Sequence, residues 1–112
     1  MSRPHPLPRY TFEDYDSFDR GPNGERFELV DGAIIAMVGG ISAYNLIISN
    51  IQMALNNAVR SPCRVYRETF RLRVNDDSFY PDIFITCQPI APNATQATDA
   101  SVVVEVASDS TR

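Results

Sequence analysis

Three carboxylates stand where the chain otherwise reads apolar. Glu28 lies in Arg26-Phe27-Glu28-Leu29-Val30, Asp82 in Tyr80-Pro81-Asp82-Ile83-Phe84-Ile85, and Glu105 in Val102-Val103-Val104-Glu105-Val106. A carboxylate among such neighbours is costly unless a cation or hydrogen bonds compensate it. Hard divalent ions such as Mg2+ or Mn2+ are held by one or two carboxylates, completed by waters and phosphate oxygens. Two strand-borne acids brought together by strand pairing meet that need, and Asp82 and Glu105 are the expected pair. A metal held there would polarise a phosphodiester and lower the pKa of a bound water, making the attacking hydroxide. The alternative for each acid is a strand cap or an arginine partner.

The elements that must position these acids follow from periodicity and turn chemistry. Thr11 and Asp14 form a capping pair that opens a short helix to about Phe18, with Phe12, Tyr15 and Phe18 near one face. Gly21-Pro22-Asn23-Gly24 breaks it. Arg26–Val30 and Ala33–Met37 flank Asp31-Gly32, the strongest short hairpin signal, because both turn positions want positive φ. A helix is expected from Ser42 to Val59, with Ile47, Ile51, Leu55 and Ala58 as its apolar stripe and Ser61-Pro62 as its stop. Strands follow at Cys63–Arg67, Phe70–Val74 and Tyr80–Cys87, with Asn75–Ser78 a turn and Gln88–Asp99 a polar loop. Ser101–Val106 reads as a strand buried on both faces. Ser108-Asp109-Ser110-Thr111 has helix-capping chemistry, yet the sequence stops at Arg112, which suggests a cut chain.

At 112 residues the sequence allows one domain, expected over 10–112 after an irregular lead-in at 1–9. No apolar run approaches the roughly 18 residues of a membrane span, and no secretory signal opens the chain, so a cytoplasmic address is expected. Cys63 and Cys87 then read as unlinked strand residues, and with His5 the sole histidine a zinc site is not expected. The formal charge is −4, and every one of the ten cations is an arginine. Such a chain does not grip nucleic acid over its whole surface, so contact with DNA must be local or transient.

Arg60, Arg64, Arg67, Arg71 and Arg73 cluster in the middle of the chain. They read either as a phosphate-facing strip or as a solvated face balancing Glu68, Asp76 and Asp77. Gly39-Gly40 before a helix reads as a turn, since no Lys-Ser/Thr follows it. Glu68 shares a strand face with Phe70 and Leu72 if Glu68–Val74 is continuous, and would then face the site.

Several blocks, in this order and spacing, resemble the Uma-two family of restriction endonucleases with the PD-(D/E)xK nuclease fold. They are Tyr10-Thr11-Phe12-Glu13-Asp14-Tyr15, Phe27-Glu28-Leu29-Val30-Asp31-Gly32, Asn45-Leu46-Ile47, Cys63-Arg64-Val65-Tyr66, Tyr80-Pro81-Asp82, and Val103-Val104-Glu105-Val106 leading into Ser108-Asp109-Ser110-Thr111. The resemblance implies an α/β (α+β) class, with a restriction-endonuclease-like mixed β-sheet flanked by helices and its C-terminal part missing. It implies Mg2+- or Mn2+-dependent cleavage of DNA, with Asp82 as the motif aspartate, Glu105 as the second acidic ligand and Glu28 as the third. Two positions depart from the family pattern: Ala107 stands where a lysine would follow Glu105, and Tyr44 stands where relatives often carry histidine. Arg67 is a possible source of charge, although its high pKa makes it a poor proton acceptor. A non-cleaving remnant or an interaction module of the same fold remains open. Loss of a covering helix would expose apolar sheet, leaving the chain marginally stable or self-associating.

Overall fold

Thr11 opens the first helix as its spacing predicts. Its hydroxyl accepts from the Asp14 N–H while the Asp14 carboxylate accepts from the Thr11 N–H, a reciprocal capping box that satisfies two free donors of the first turn. Helix α1 spans Phe12–Phe18, with Tyr15 buried and Phe18 exposed. Strands β1 (Phe27–Val30) and β2 (Ala33–Ala36) form the expected hairpin, and Asp31 and Gly32 both take positive φ, 48° and 83°. The computed structural model describes residues 9–21, 24–37 and 39–107. The expected break at Pro22-Asn23, the cap at Ser108–Thr111 and all but one residue of the lead-in lie outside them.

Helix α2 spans Ser42–Ala58. Its buried stripe is rotated from the predicted one. Ile48 is the core residue at 2% exposure, with Ile51 and Leu55 half-buried, whereas Ile47 is 48% exposed and Ala58 also faces outward. With apolar residues on several sides of the helix, periodicity alone did not select the face that packs.

The remaining strands are β3 (Arg64–Arg67), β4 (Arg71–Val74), β5 (Asp77–Phe79), β6 (Ile83–Thr86), β7 (Gln96–Ala97) and β8 (Val102–Val104). Among the described residues they make two sheets, ordered β2-β1-β5-β4-β7 and β3-β6-β8. The turn expected at Asn75–Ser78 is shorter: Asn75 takes φ 56°, Asp77 already pairs with Val74, and Ser78 is buried in β5 opposite Leu29. The polar loop after Cys87 contains β7, which runs parallel to β4. Leu72, Phe84 and Ala97 form a core cluster joining the two sheets, with Tyr66 and Phe70 stacked on one another at 4.8 Å between ring centres.

Two expectations are corrected. β8 pairs only with β6 among the described residues, so Val102 and Val103 are 46% and 49% exposed rather than buried on both faces. Cys63 and Cys87 are joined in a disulfide, not unlinked. The β3–β6 register explains the meeting: Arg64 lies opposite Thr86, which sets the flanking residues 63 and 87 against each other.

Candidate active site

Asp82 precedes β6 by one residue and is 8% exposed. Both of its carboxylate oxygens are engaged. Oδ2 accepts from the Val106 N–H at 2.7 Å, and Oδ1 accepts from the Tyr44 hydroxyl at 2.5 Å. The bond to Val106 draws the chain beyond β8 back against the start of β6, which places Glu105 beside Asp82. Glu105 therefore does not sit centred in a buried strand as the valines around it suggested. It follows the last residue of β8 and opens to solvent. Its carboxyl is nevertheless pushed up to about 7, first by the burial it does undergo and then by the Asp82 charge next to it, with Glu28 adding to the effect.

Glu28 reaches the same place from the other sheet. It is half-buried on β1, and its Oε2 accepts from the Tyr80 N–H at 2.8 Å. Burial raises its pKa, the Tyr80 N–H opposes that, and the Asp82 charge adds to the rise. Tyr80 is fixed at its other end as well, because its hydroxyl donates to Asp19 at 2.5 Å. Asp19, with 1% of its side chain exposed, also accepts from the Phe27 N–H, the Tyr15 hydroxyl and the Arg71 guanidinium. A buried carboxylate with that many charge-assisted partners is a rigid anchor.

Asp82, Glu105, Glu28, Tyr44 and Tyr80 line one open cleft of about 630 Å³, together with Glu68, Arg26, Asn45, Ile48, Gly39 and Gly40. All three predicted acids are thus brought to one place, and Glu68 faces it too. Oxygen donors of this kind suit a hard divalent ion. Among the described residues no three acidic, histidine or cysteine side chains stand close enough to form a ready-made cage. The cleft thus offers carboxylates at its wall, to be completed by water or phosphate oxygens.

The arginine cluster divides: Arg60 and Arg64 are exposed and Arg67 balances Glu68, as the solvated-face reading expects, whereas Arg71 and Arg73 are drawn to α1. Arg71 pairs with Asp16 and Asp19 and lies over the rings of Phe12 and Tyr15, while Arg73 sits 3.7 Å from the centre of the Phe12 ring. Both clamp α1 to the sheet. Arg67, the possible source of charge, is held by Glu68 and by Gln52 Oε1. Sequence reasoning missed the two tyrosines that hold the acids. Tyr44 was noted only as a departure, although its place three residues into α2 sets it above the cleft floor. Gly40 makes room for it, because a Cβ there would come within 2.5 Å of the Tyr44 ring.

Among the described residues two helices and two sheets make a mixed α/β architecture that matches a nuclease-like fold. The chain belongs to the Uma2 family, described as "Putative restriction endonuclease", whose model matches residues 12–112. It is similar in structure to a crystal structure from Anabaena variabilis described as "a putative nuclease belonging to DUF820". The TM-score is 0.74 at 20% identity, over 94% of this chain and 60% of that one, so the chain spans about three-fifths of its neighbour's length. No curated protein matches it.

Proposed function

We propose that the chain is a nuclease unit of the PD-(D/E)xK type that uses Mg2+ or Mn2+ to hydrolyse DNA phosphodiester bonds, with Asp82, Glu105 and Glu28 as the acidic ligands. The observation that carries this reading is the meeting of these three acids, from three separate strand regions, in one cleft. A bound divalent ion supplies Lewis-acid activation of the phosphate and a hydroxide from water. The chain's own residues do the rest. The Val106 N–H holds the Asp82 carboxylate and the Tyr80 N–H holds that of Glu28, so both stay oriented when charge enters the cleft. Glu105, crowded by its neighbours, gives up its proton as a cation arrives.

One observation favours a second reading, a copy that binds metal without cleaving. None of the residues lining the cleft is a lysine that would stabilise the developing charge.

Mn2+ titration by calorimetry tests both, run beside an Asp82→Asn, Glu105→Gln double variant that preserves side-chain size. Saturable binding lost in the variant supports the metal site, and a nicking assay on plasmid DNA then separates the two readings. A folded protein that takes up no Mn2+ overturns the proposal.

A further inference from the structure

The cleft holds several carboxylates and a single basic side chain among its lining residues, Arg26. Arg26 comes just before β1 and two residues before Glu28, so the two side chains leave the same face of the extended chain. Its backbone is set by the hairpin, where its carbonyl accepts from the Met37 N–H at 3.0 Å. Its side chain is also held. Nη1 donates to the Glu68 carbonyl, and the guanidinium lies over the Tyr80 ring, 5.4 Å from its centre. Among the described residues it has no carboxylate partner, and a guanidinium carries five N–H donors, most of which are uncommitted here. Arg67 and Arg71, by contrast, are not among the cleft's lining residues and spend their donors on acids and glutamines.

Resting on the nuclease reading above, we infer that Arg26 is the phosphate-binding residue of this cleft, gripping non-bridging oxygens of the phosphodiester that the acids approach through a cation. A planar fork of donors matches a phosphate's paired oxygens, and its permanent charge offsets an acidic cleft that would otherwise repel the nucleic-acid backbone. Arg26 thereby takes the charge-stabilising part of a lysine's role. It does not take the proton-accepting part, because its pKa forbids it.

The test pairs two titrations on the full chain: Mn2+ by calorimetry, and a short fluorescein-labelled DNA duplex by anisotropy in Ca2+ over a range of salt. Arg26→Gln removes the charge while keeping a donor for the Glu68 carbonyl, so folding is preserved. Arg26→Lys restores charge without the fork. The inference expects Arg26→Gln to keep Mn2+ binding, to weaken duplex binding about tenfold and to lower the salt slope by about one. Arg26→Lys should recover the slope and only part of the affinity. Unchanged duplex affinity and slope in Arg26→Gln, or a wild-type chain that binds Mn2+ but no duplex, overturns the inference and leaves the metal site standing. A folded wild-type chain without Mn2+ binding removes the nuclease reading itself, and this inference with it.

Discussion

Tyr44 and Asp82, far apart in sequence, are joined by a 2.5 Å hydrogen bond from hydroxyl to carboxylate. The bond raises the tyrosine's pKa, after the larger effect of burial, so Tyr44 stays protonated and keeps donating across the neutral range. It also occupies an oxygen that a metal ligand would need free. Entry of a cation must therefore displace the phenol or share the oxygen with it.

Tyr44→Phe frees that oxygen. Mn2+ binding should tighten about tenfold, the equivalent of roughly 1.4 kcal/mol for one charge-assisted bond. Gly40→Ala should act in the same direction by pushing the ring aside, at some cost in stability. Calorimetry on both variants checks this, and an unchanged affinity would mean that the hydroxyl does not compete.

Asp19→Ala should unfold the chain at ordinary temperature. It leaves two tyrosine hydroxyls and the Phe27 N–H without their acceptor and strips Arg71 of one of its two acids, a loss of about 3–5 kcal/mol for a buried charge network. Asp19→Asn should be milder. Circular dichroism melts of the two variants give the comparison. Equal, small changes in Tm would show the network to be dispensable.

Metal-free stability should fall as pH rises. Glu105 titrates near 7 in the folded state against an ordinary 4.5, so between these values the folded chain holds a proton that the unfolded chain has lost. The contribution is fully present below about 4.5 and gone above about 7. Urea midpoints in chelator across that window should decline, and the decline should flatten in Glu105→Gln. Mn2+ affinity should move the opposite way, rising with pH as the proton leaves.

β8 carries exposed valines and, among the described residues, an unpaired edge. We expect concentration-dependent association of the chain in sedimentation velocity, suppressed by Val103→Lys. A concentration-independent monomer would refute that role for the edge.

Local signals were legible where chemistry is local. The Thr11–Asp14 box, the Asp31-Gly32 turn and the span of the long helix, to within a residue, stand as read. The meeting of Asp82 and Glu105 is legible because acids in apolar surroundings need a reason to be there, whereas Glu28 joins them only through the family resemblance. What stayed hidden depends on partners distant in sequence. Ile48 rather than Ile47 enters the core because of how α2 is rolled on the sheet. Arg71 and Arg73 reach from β4 to the side chains of α1, and no pattern within β4 shows that. The Cys63–Cys87 bond needs the β3–β6 register, which only the folded pairing supplies.

The hydrogen bond from Val106 to Asp82 fastens the end of a 24-residue excursion to its beginning. Asp82 is therefore a buckle of the chain as well as a proposed ligand. A descendant that had given up cleavage altogether would still be under pressure to keep this aspartate, because losing it loosens the return of the polypeptide. Glu105 is more exposed, and its carboxyl bonds to the Asp82 backbone, so it fastens the same crossing from the other side with less burial behind it. The two acids thus differ in what their survival would report: Asp82 chiefly the fold, and Glu105 chiefly the proposed metal site.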